Sequence, residues 1–172
     1  AAGRALMAHG VPFEIFEKHS EAGGIWDLQN PGSPMYSSAH FNSSKTMSGF
    51  KNYPMPGGYP DYPSNSQILS YVRAFARDMG LTPHIRFSTG VVKAERRENG
   101  WLLRLGEGST EQFTHLIAAP GTNWAPNRPE IPGRLDGEVI HAVDYKSSEQ
   151  LNGKRVLVVG AGNSGADIAC DA

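Results

Sequence analysis

A single cysteine, Cys170, is present among 172 residues, which excludes an internal disulfide framework and any C-x-x-C redox pair. Long apolar runs are missing too. None approaches the roughly 18 residues of a membrane span, so the chain is expected to be soluble and cytoplasmic. Charge of one sign is also lacking: 16 Lys and Arg stand against 17 Asp and Glu, a formal net charge of −1. No basic stripe suggests a nucleic-acid partner. The six histidines show no metal-ligand spacing, so no metal is expected. Residue 1 is Ala, with no initiator Met and no basic-plus-apolar leader. Cys170 lies in an apolar helical stretch and reads as a small core residue.

What the chain does have is concentrated between Arg155 and Ala172. An apolar strand, 155–159, runs into Gly160-Ala-Gly162-Asn163-Ser164-Gly165 and then into a helical pattern. In G-x-G-x-x-G the first glycine makes a tight turn and the second lets backbone approach a pyrophosphate. The third lets helix and strand pack closely. The helix start then presents N–H groups and the positive end of its dipole to phosphate. A nucleophile elbow, G-x-S-x-G, is also a strand–turn–helix. Gly162-Asn163-Ser164-Gly165-Ala166 lacks its closing glycine, and that reading leaves Gly160 without a purpose.

Residues 1–10 read as the tail of a helix closed by Gly10. A short strand, 13–17, follows and ends on Glu17. An acid there bonds ribose hydroxyls about 20 residues after a glycine motif, so a first G-x-G-x-x-G is expected just upstream of Ala1. The plain alternative is a solvated strand-end carboxylate. Residues 18–65 are loop-like but too aromatic for disorder, which suggests an ordered, ligand-wrapping segment. Within it, Gly23-Gly24 permits close backbone approach and Trp26 suits packing beside a flat ring. A helical stripe spans 66–79, capped by Asn65 or Ser66 and closed by Gly80. Strands are predicted at 84–88, 90–97 and 101–105, with Asn99-Gly100 as the hairpin turn. Further strands are predicted at 112–119, ending in Pro120-Gly121, and at 139–142. A Pro-rich linker at 120–134 and a helical turn at 147–151 complete the pattern.

One further pattern is more specific. Leu135-Asp-Gly137-Glu-Val-Ile-His141-Ala-Val-Asp-Tyr145-Lys146 resembles the fingerprint F-x-G-x-x-x-H-x-x-x-[YF]-K of the flavin-containing monooxygenases. The second glycine motif follows at the family's spacing. Phe16-Glu17-Lys18, Gly23-Gly24-Ile25-Trp26, Asn42-Ser43-Ser44-Lys45 and Tyr53-Pro-Met-Pro56…Tyr59-Pro60 also match in order, so the resemblance covers essentially the whole chain. Leu135 stands where the fingerprint has Phe, and Pro120 where Thr or Ser is usual. Tyr145 stands where the related Baeyer–Villiger oxygenases have Trp, which favours the branch that oxygenates heteroatoms.

The resemblance implies an α/β fold and an internal fragment of a longer enzyme. Residues 1–119 would be a partial Rossmann-like FAD-binding domain with a small β-hairpin insertion, 120–152 a linker, and 153–172 the start of a Rossmann-like NADP-binding domain. Glu17 and Lys18, Gly24, Ile25, Trp26, Asn42, Ser43 and Gly121 would serve FAD. Asn42, Gly160, Gly162, Asn163, Ser164, Gly165, Ala166 and Asp167 would serve NADP. Gly137, His141, Tyr145 and Lys146 form the fingerprint, with His141 structural in the linker. Asn42 would be the catalytic residue, although its spacing alone reads as a turn. The implied activity uses NADPH and O2 to oxygenate nucleophilic N or S atoms of a small molecule through a flavin hydroperoxide, as in N,N-dimethylaniline monooxygenase. The isolated fragment would be inactive. Baeyer–Villiger ketone oxygenation and a non-catalytic dinucleotide-binding module are the alternatives. A disulfide reductase would need a second cysteine.

Overall fold

The computed structural model describes residues 1–130 and 132–172. Small and straight-chain residues make Ala2–Ala8 a helix, α1, whose end returns the Gly10 N–H to the Met7 carbonyl at 3.0 Å. A Cβ at Gly3 would lie 3.1–3.3 Å from Phe13, Leu81 and Ile15, so the helix packs closely on its glycine. The longest helix, α3 (Asn65–Asp78), buries Ile68, Tyr71, Phe75 and Ala76, a stripe with the 3.6-residue period. Its cap is one residue earlier than expected. The Ser64 N–H donates to Gln67 Oε1 (2.9 Å), and the Gln67 N–H donates to Ser64 Oγ (3.3 Å), a capping box. Asn65 is instead buried, with Nδ2 donating to the Tyr36 carbonyl at 3.3 Å.

Two small sheets form. β1 (Ile15–Phe16) pairs in parallel with β2 (Ile85–Arg86), in the register Ile15↔Ile85 and Phe16↔Arg86. β3 (Val91–Arg97), β4 (Gly100–Leu105) and β5 (Thr110–Phe113) form an antiparallel meander. The central strand β4 carries its core residues, Leu103 and Leu105. Its hairpin turn is Glu98-Asn99 rather than Asn99-Gly100, because Gly100 already pairs with Arg97. Arg86 reaches Glu14 at 3.3 Å and Glu111 at 2.5 Å while its guanidinium lies 4.9 Å from the Phe16 ring centre.

The strands predicted at 139–142 and 155–159, and residues 114–119 of the one predicted at 112–119, do not appear as strands. A strand needs a neighbour for its N–H and C=O groups, and among the described residues these segments pair with none. Their apolar side chains are correspondingly exposed, Leu157 by 84% and Val159 by 69%. A short 3₁₀ turn, Ala142–Asp144, follows the first of them. Ser147 caps a second turn, Ser148–Leu151, through its own capping box with Gln150. The last helix is α4 (Asn163–Asp171), and α2 is the short Lys45–Ser48. Cys170 is exposed on α4, not in the core.

The chain divides into two compact units. One comprises Ala1–Gly23 and Tyr71–Pro120, and the other Gly24–Ser70 and Gly121–Ala172. The second has its own apolar cluster of Tyr36, Ala39, Tyr145 and Ile168, with Met35, Ala142, Leu151 and Val158 packed against it. Among the described residues no helix is long and apolar enough to cross a membrane.

Candidate functional site

The glycine motif folds as its spacing predicts at the turn and the helix. Gly160 adopts φ +128°, a conformation that side-chain-bearing residues rarely take. A Cβ on Gly165 would lie 2.4 Å from the Gly160 carbonyl oxygen, so the helix can approach the turn only without one. Gly162 caps α4, and a Cβ built there meets nothing within 4 Å. The first intrahelical bond runs from the Ala166 N–H to the Gly162 carbonyl (3.0 Å). The N–H groups before it are those a helix start leaves for an anionic ligand. Asn163, Ser164, Gly165 and Ala166 thus line the opening turn. Tight turn, open approach and close helix contact together fit a dinucleotide pyrophosphate.

Asp167 points elsewhere. Its carboxylate accepts from the Tyr36 hydroxyl at 2.7 Å, and that of Asp171, one turn on, accepts from Tyr145 at 2.6 Å and also from Ser38. The two rings are 5.5 Å apart at a tilt of 57°, and both are buried. Burial and the Asp167 carboxylate push the Tyr36 hydroxyl up to about 12. Burial and Asp171 likewise raise Tyr145. No spacing in the sequence pairs these groups. Tyr145 is marked only through the fingerprint, and Asp167 and Asp171 share one helix face by their i, i+4 interval.

The rest of the fingerprint is wired into the same unit. His141 caps the Ala142–Asp144 turn, its Nδ1 accepting from the Val143 N–H at 3.1 Å. Arg128 pairs with Asp144 at 2.7 Å and holds that carboxyl below the usual carboxylate range. Lys146 Nζ donates to the carbonyls of Ser33 (2.6 Å) and Met35 (3.3 Å). Gly137 and Leu135 are exposed. Gly121 sits against Trp124, whose Nε1 would be 3.0 Å from a Cβ there.

The aromatic segment is ordered by polar contacts made within itself. Asn30 Nδ2 donates to the Gly24 carbonyl (2.7 Å) and Ser33 Oγ to that of Ile25 (2.5 Å), which shapes the Gly24–Trp26 turn. The ring beside Trp26 is Phe41, edge-on at 5.4 Å. Asn42 lies exposed in a bend; Ser48 Oγ donates to Ser43 Oγ at 2.8 Å. Just beyond, Lys45, Phe50, Tyr53 and Met55 line an open cleft of about 350 Å³. In the other unit, Glu17 follows β1 directly. Its N–H donates to the Arg86 carbonyl (3.0 Å), and its Oε1 accepts from the His19 N–H (2.9 Å). Lys18 beside it is exposed. Among the described residues no His, Cys, Asp or Glu cluster could hold a metal ion.

A family model described as flavin-binding monooxygenase-like matches residues 3–172. Flavin-containing monooxygenase 5 of Oryctolagus cuniculus is 33% identical over 98% of this chain and 34% of its own length. Among solved structures, S-allyl-L-cysteine S-oxygenase from Allium sativum superposes with a TM-score of 0.88 and 26% identity, over 98% of this chain and 45% of that one. A cyclohexanone monooxygenase mutant from Rhodococcus sp. Phi1, bound to NADP+, gives 0.79 and 26%, over 99% of this chain and 33% of that one. The chain spans about a third of the length of the curated monooxygenases it matches.

Proposed function

This chain belongs to the flavin-binding monooxygenase-like family, whose members use FAD and NADPH, and we propose that it forms the cofactor-handling part of a monooxygenase acting on nucleophilic N or S atoms. The observation that carries this reading is the turn at Gly160, Gly162 and Gly165, where a side chain would fill or distort the place for a pyrophosphate.

The residues divide the work by chemistry. Gly160, Gly162, Asn163, Ser164, Gly165 and Ala166 receive the NADP pyrophosphate at the start of α4, on the backbone N–H groups that precede the bond from Ala166 to Gly162. Asp167 contributes through its hold on Tyr36. Glu17 accepts from ribose hydroxyls, with Lys18 at its side. Gly24, Ile25, Trp26, Ser43 and Gly121 serve the flavin. Bound FAD, reduced by NADPH, supplies the activation of O2, chemistry that a protein orients and shields rather than performs. Asn42 is suited to sit beside it, because an amide donates and accepts without titrating. The partial domain at 1–119, the linker at 120–152 and the start of a second nucleotide domain at 153–172 belong to the same reading. So does the expectation that these residues oxygenate nothing when expressed alone.

Heteroatom rather than ketone oxygenation is supported by Tyr145, where the ketone-oxygenating branch has Trp, and by the higher TM-score of the S-oxygenase, 0.88 against 0.79 for the cyclohexanone monooxygenase. The test is a substrate panel on the full-length protein. Stoichiometric FAD, NADPH-dependent O2 uptake, and N-oxide or sulfoxide from a tertiary amine or thioether are expected. Lactone from cyclohexanone with no heteroatom product would move the protein to the Baeyer–Villiger branch. A protein that binds dinucleotide without consuming O2 would make it a non-catalytic module.

A further inference from the structure

We propose that Tyr36 and Tyr145 are positioning residues for flavin reduction: their hydroxyls clamp the nucleotide-binding helix α4 in register with the segment that carries Asn42. The inference rests on the reading above, which gives α4 to the reductant and Asn42 to the flavin.

α4 is gripped at two points one turn apart. Tyr36 stands at the first turns, where its hydroxyl donates to Asp167 at 2.7 Å and its oxygen also interacts with the Ser164 side chain. Tyr145 stands one turn further along and donates to Asp171 at 2.6 Å. Ser38 donates to the same Asp171 carboxylate, so that group is bound from both the aromatic segment and the linker. Ile168, between the two aspartates, is buried in the cluster formed by Tyr36, Ala39 and Tyr145.

The tyrosines are themselves held from behind. Tyr36 is 4% exposed and its carbonyl accepts from Asn65 Nδ2 at 3.3 Å; Tyr145 is 0% exposed. The next residue, Lys146, donates to the carbonyls of Ser33 and Met35, immediately before Tyr36. Linker and aromatic segment are therefore tied to one another as well as to the helix. Tyr36 lies six positions before Asn42 on the same segment, all within one compact unit.

Helix stability alone does not account for the arrangement. Asp171 draws two hydroxyl donors, Tyr145 and Ser38, onto one carboxylate oxygen. Both donors come from the segments that need a fixed distance to α4. Hydride transfer is steep in donor–acceptor distance and orientation, so small losses of register are read as rate.

The test uses the full-length protein and four variants, Tyr36→Phe, Tyr145→Phe, Asp171→Asn and Asp171→Ala. Phe keeps the ring packing and removes only the hydroxyl. Asn keeps an acceptor oxygen, and Ala removes it. Two rates are compared in stopped flow: anaerobic reduction of the flavin by NADPH, and reaction of dithionite-reduced enzyme with O2. We expect reduction by NADPH to slow at least tenfold in Tyr36→Phe, Tyr145→Phe and Asp171→Ala, and to stay within about threefold of wild type in Asp171→Asn. The O2 reaction should be unchanged in all four. Equal reduction rates in every variant that retains FAD would overturn the clamp while leaving the functional reading intact. Should the Phe variants lose FAD, the Asp171 pair decides: equal slowing by Asn and Ala, or none by either, overturns it. A wild-type protein that NADPH does not reduce would overturn the functional reading itself.

Discussion

A methyl group on Gly165 would lie 2.4 Å from the carbonyl oxygen of Gly160, five residues earlier on the other side of the turn. That oxygen belongs to backbone and cannot swing aside, so Gly165→Ala must push α4 away from the turn. The N–H groups of the first helical turn then no longer converge on one phosphate position. In the full-length protein, NADP+ affinity is expected to fall at least tenfold, about 1.4 kcal/mol, with FAD content unchanged. Fluorescence titration of the variant checks this. Wild-type affinity would show that the turn relaxes without cost and would remove the main geometric support for a nucleotide there.

Asn42 provides a test of chemistry rather than binding. It lies exposed in a bend and is not part of the hydrophobic core, so Asn42→Ala should fold normally. Loss of an amide that can donate and accept is expected to leave NADPH consumption running while oxygenated product falls and hydrogen peroxide rises. Product and peroxide measured in one reaction give the coupling ratio, and an unchanged ratio would return Asn42 to the role of a turn residue.

Gly100 makes a stability prediction unconnected with cofactors. A Cβ there would lie 2.2 Å from the Phe113 carbonyl oxygen, whereas one at Gly106 would meet its nearest neighbour at 3.7 Å. Gly100→Ala should therefore destabilise by roughly 3 kcal/mol or more, at the upper end of point-mutant effects, and Gly106→Ala by less than about 1 kcal/mol. Urea midpoints of the two variants compare them directly. Equal midpoints would mean that β4 and β5 separate freely.

These contrasts mark what was legible in the sequence. The glycine spacing from Gly160 to Gly165 carried its own geometry, because turn and helix are local and a missing Cβ has local consequences. Ile68, Phe75 and Ala76 likewise declared α3 by period alone, while Tyr71, also buried, lies outside the apolar stripe of Ile68, Leu69, Val72, Phe75, Ala76 and Met79 that the period marks. Strands are different, since 155–159 has the composition of a buried strand but finds no partner among the described residues. Cys170 misled for a related reason: an apolar stretch says that a helix has a buried face, and Ile168 occupies it. The links from Tyr36 to Asp167 and from Lys146 to Ser33 span 131 and 113 residues. Nothing in local spacing encodes contacts of that length. The Gln67 side chain chose Ser64 as the cap over Asn65, a choice the motif S-x-x-Q would have allowed.

The paired tyrosines also predict how the fold responds to alkali. Burial and the neighbouring carboxylates raise Tyr36 to about 12 and raise Tyr145 as well, above the ordinary value near ~10 that an unfolded chain shows. The folded state thus keeps these protons where the unfolded state has released them, and stability must fall as pH rises. Their contribution is complete below about pH 10. It is lost progressively as pH climbs through the folded value of Tyr36, about 12. Two ionised hydroxyls facing Asp167 and Asp171 would place four negative charges in one buried cluster, so the transition should be cooperative. Lysines titrate in the same range, and the comparison that isolates the tyrosines is wild type against Tyr36→Phe/Tyr145→Phe. Urea midpoints between pH 8 and 11.5 (a window of roughly the ordinary tyrosine range) should fall more steeply for wild type, with the variant less stable at neutral pH and the difference narrowing as pH rises. Parallel lines would mean that the hydroxyls ionise without disturbing the cluster, and that their hold on α4 is weaker than 2.6 and 2.7 Å bonds imply.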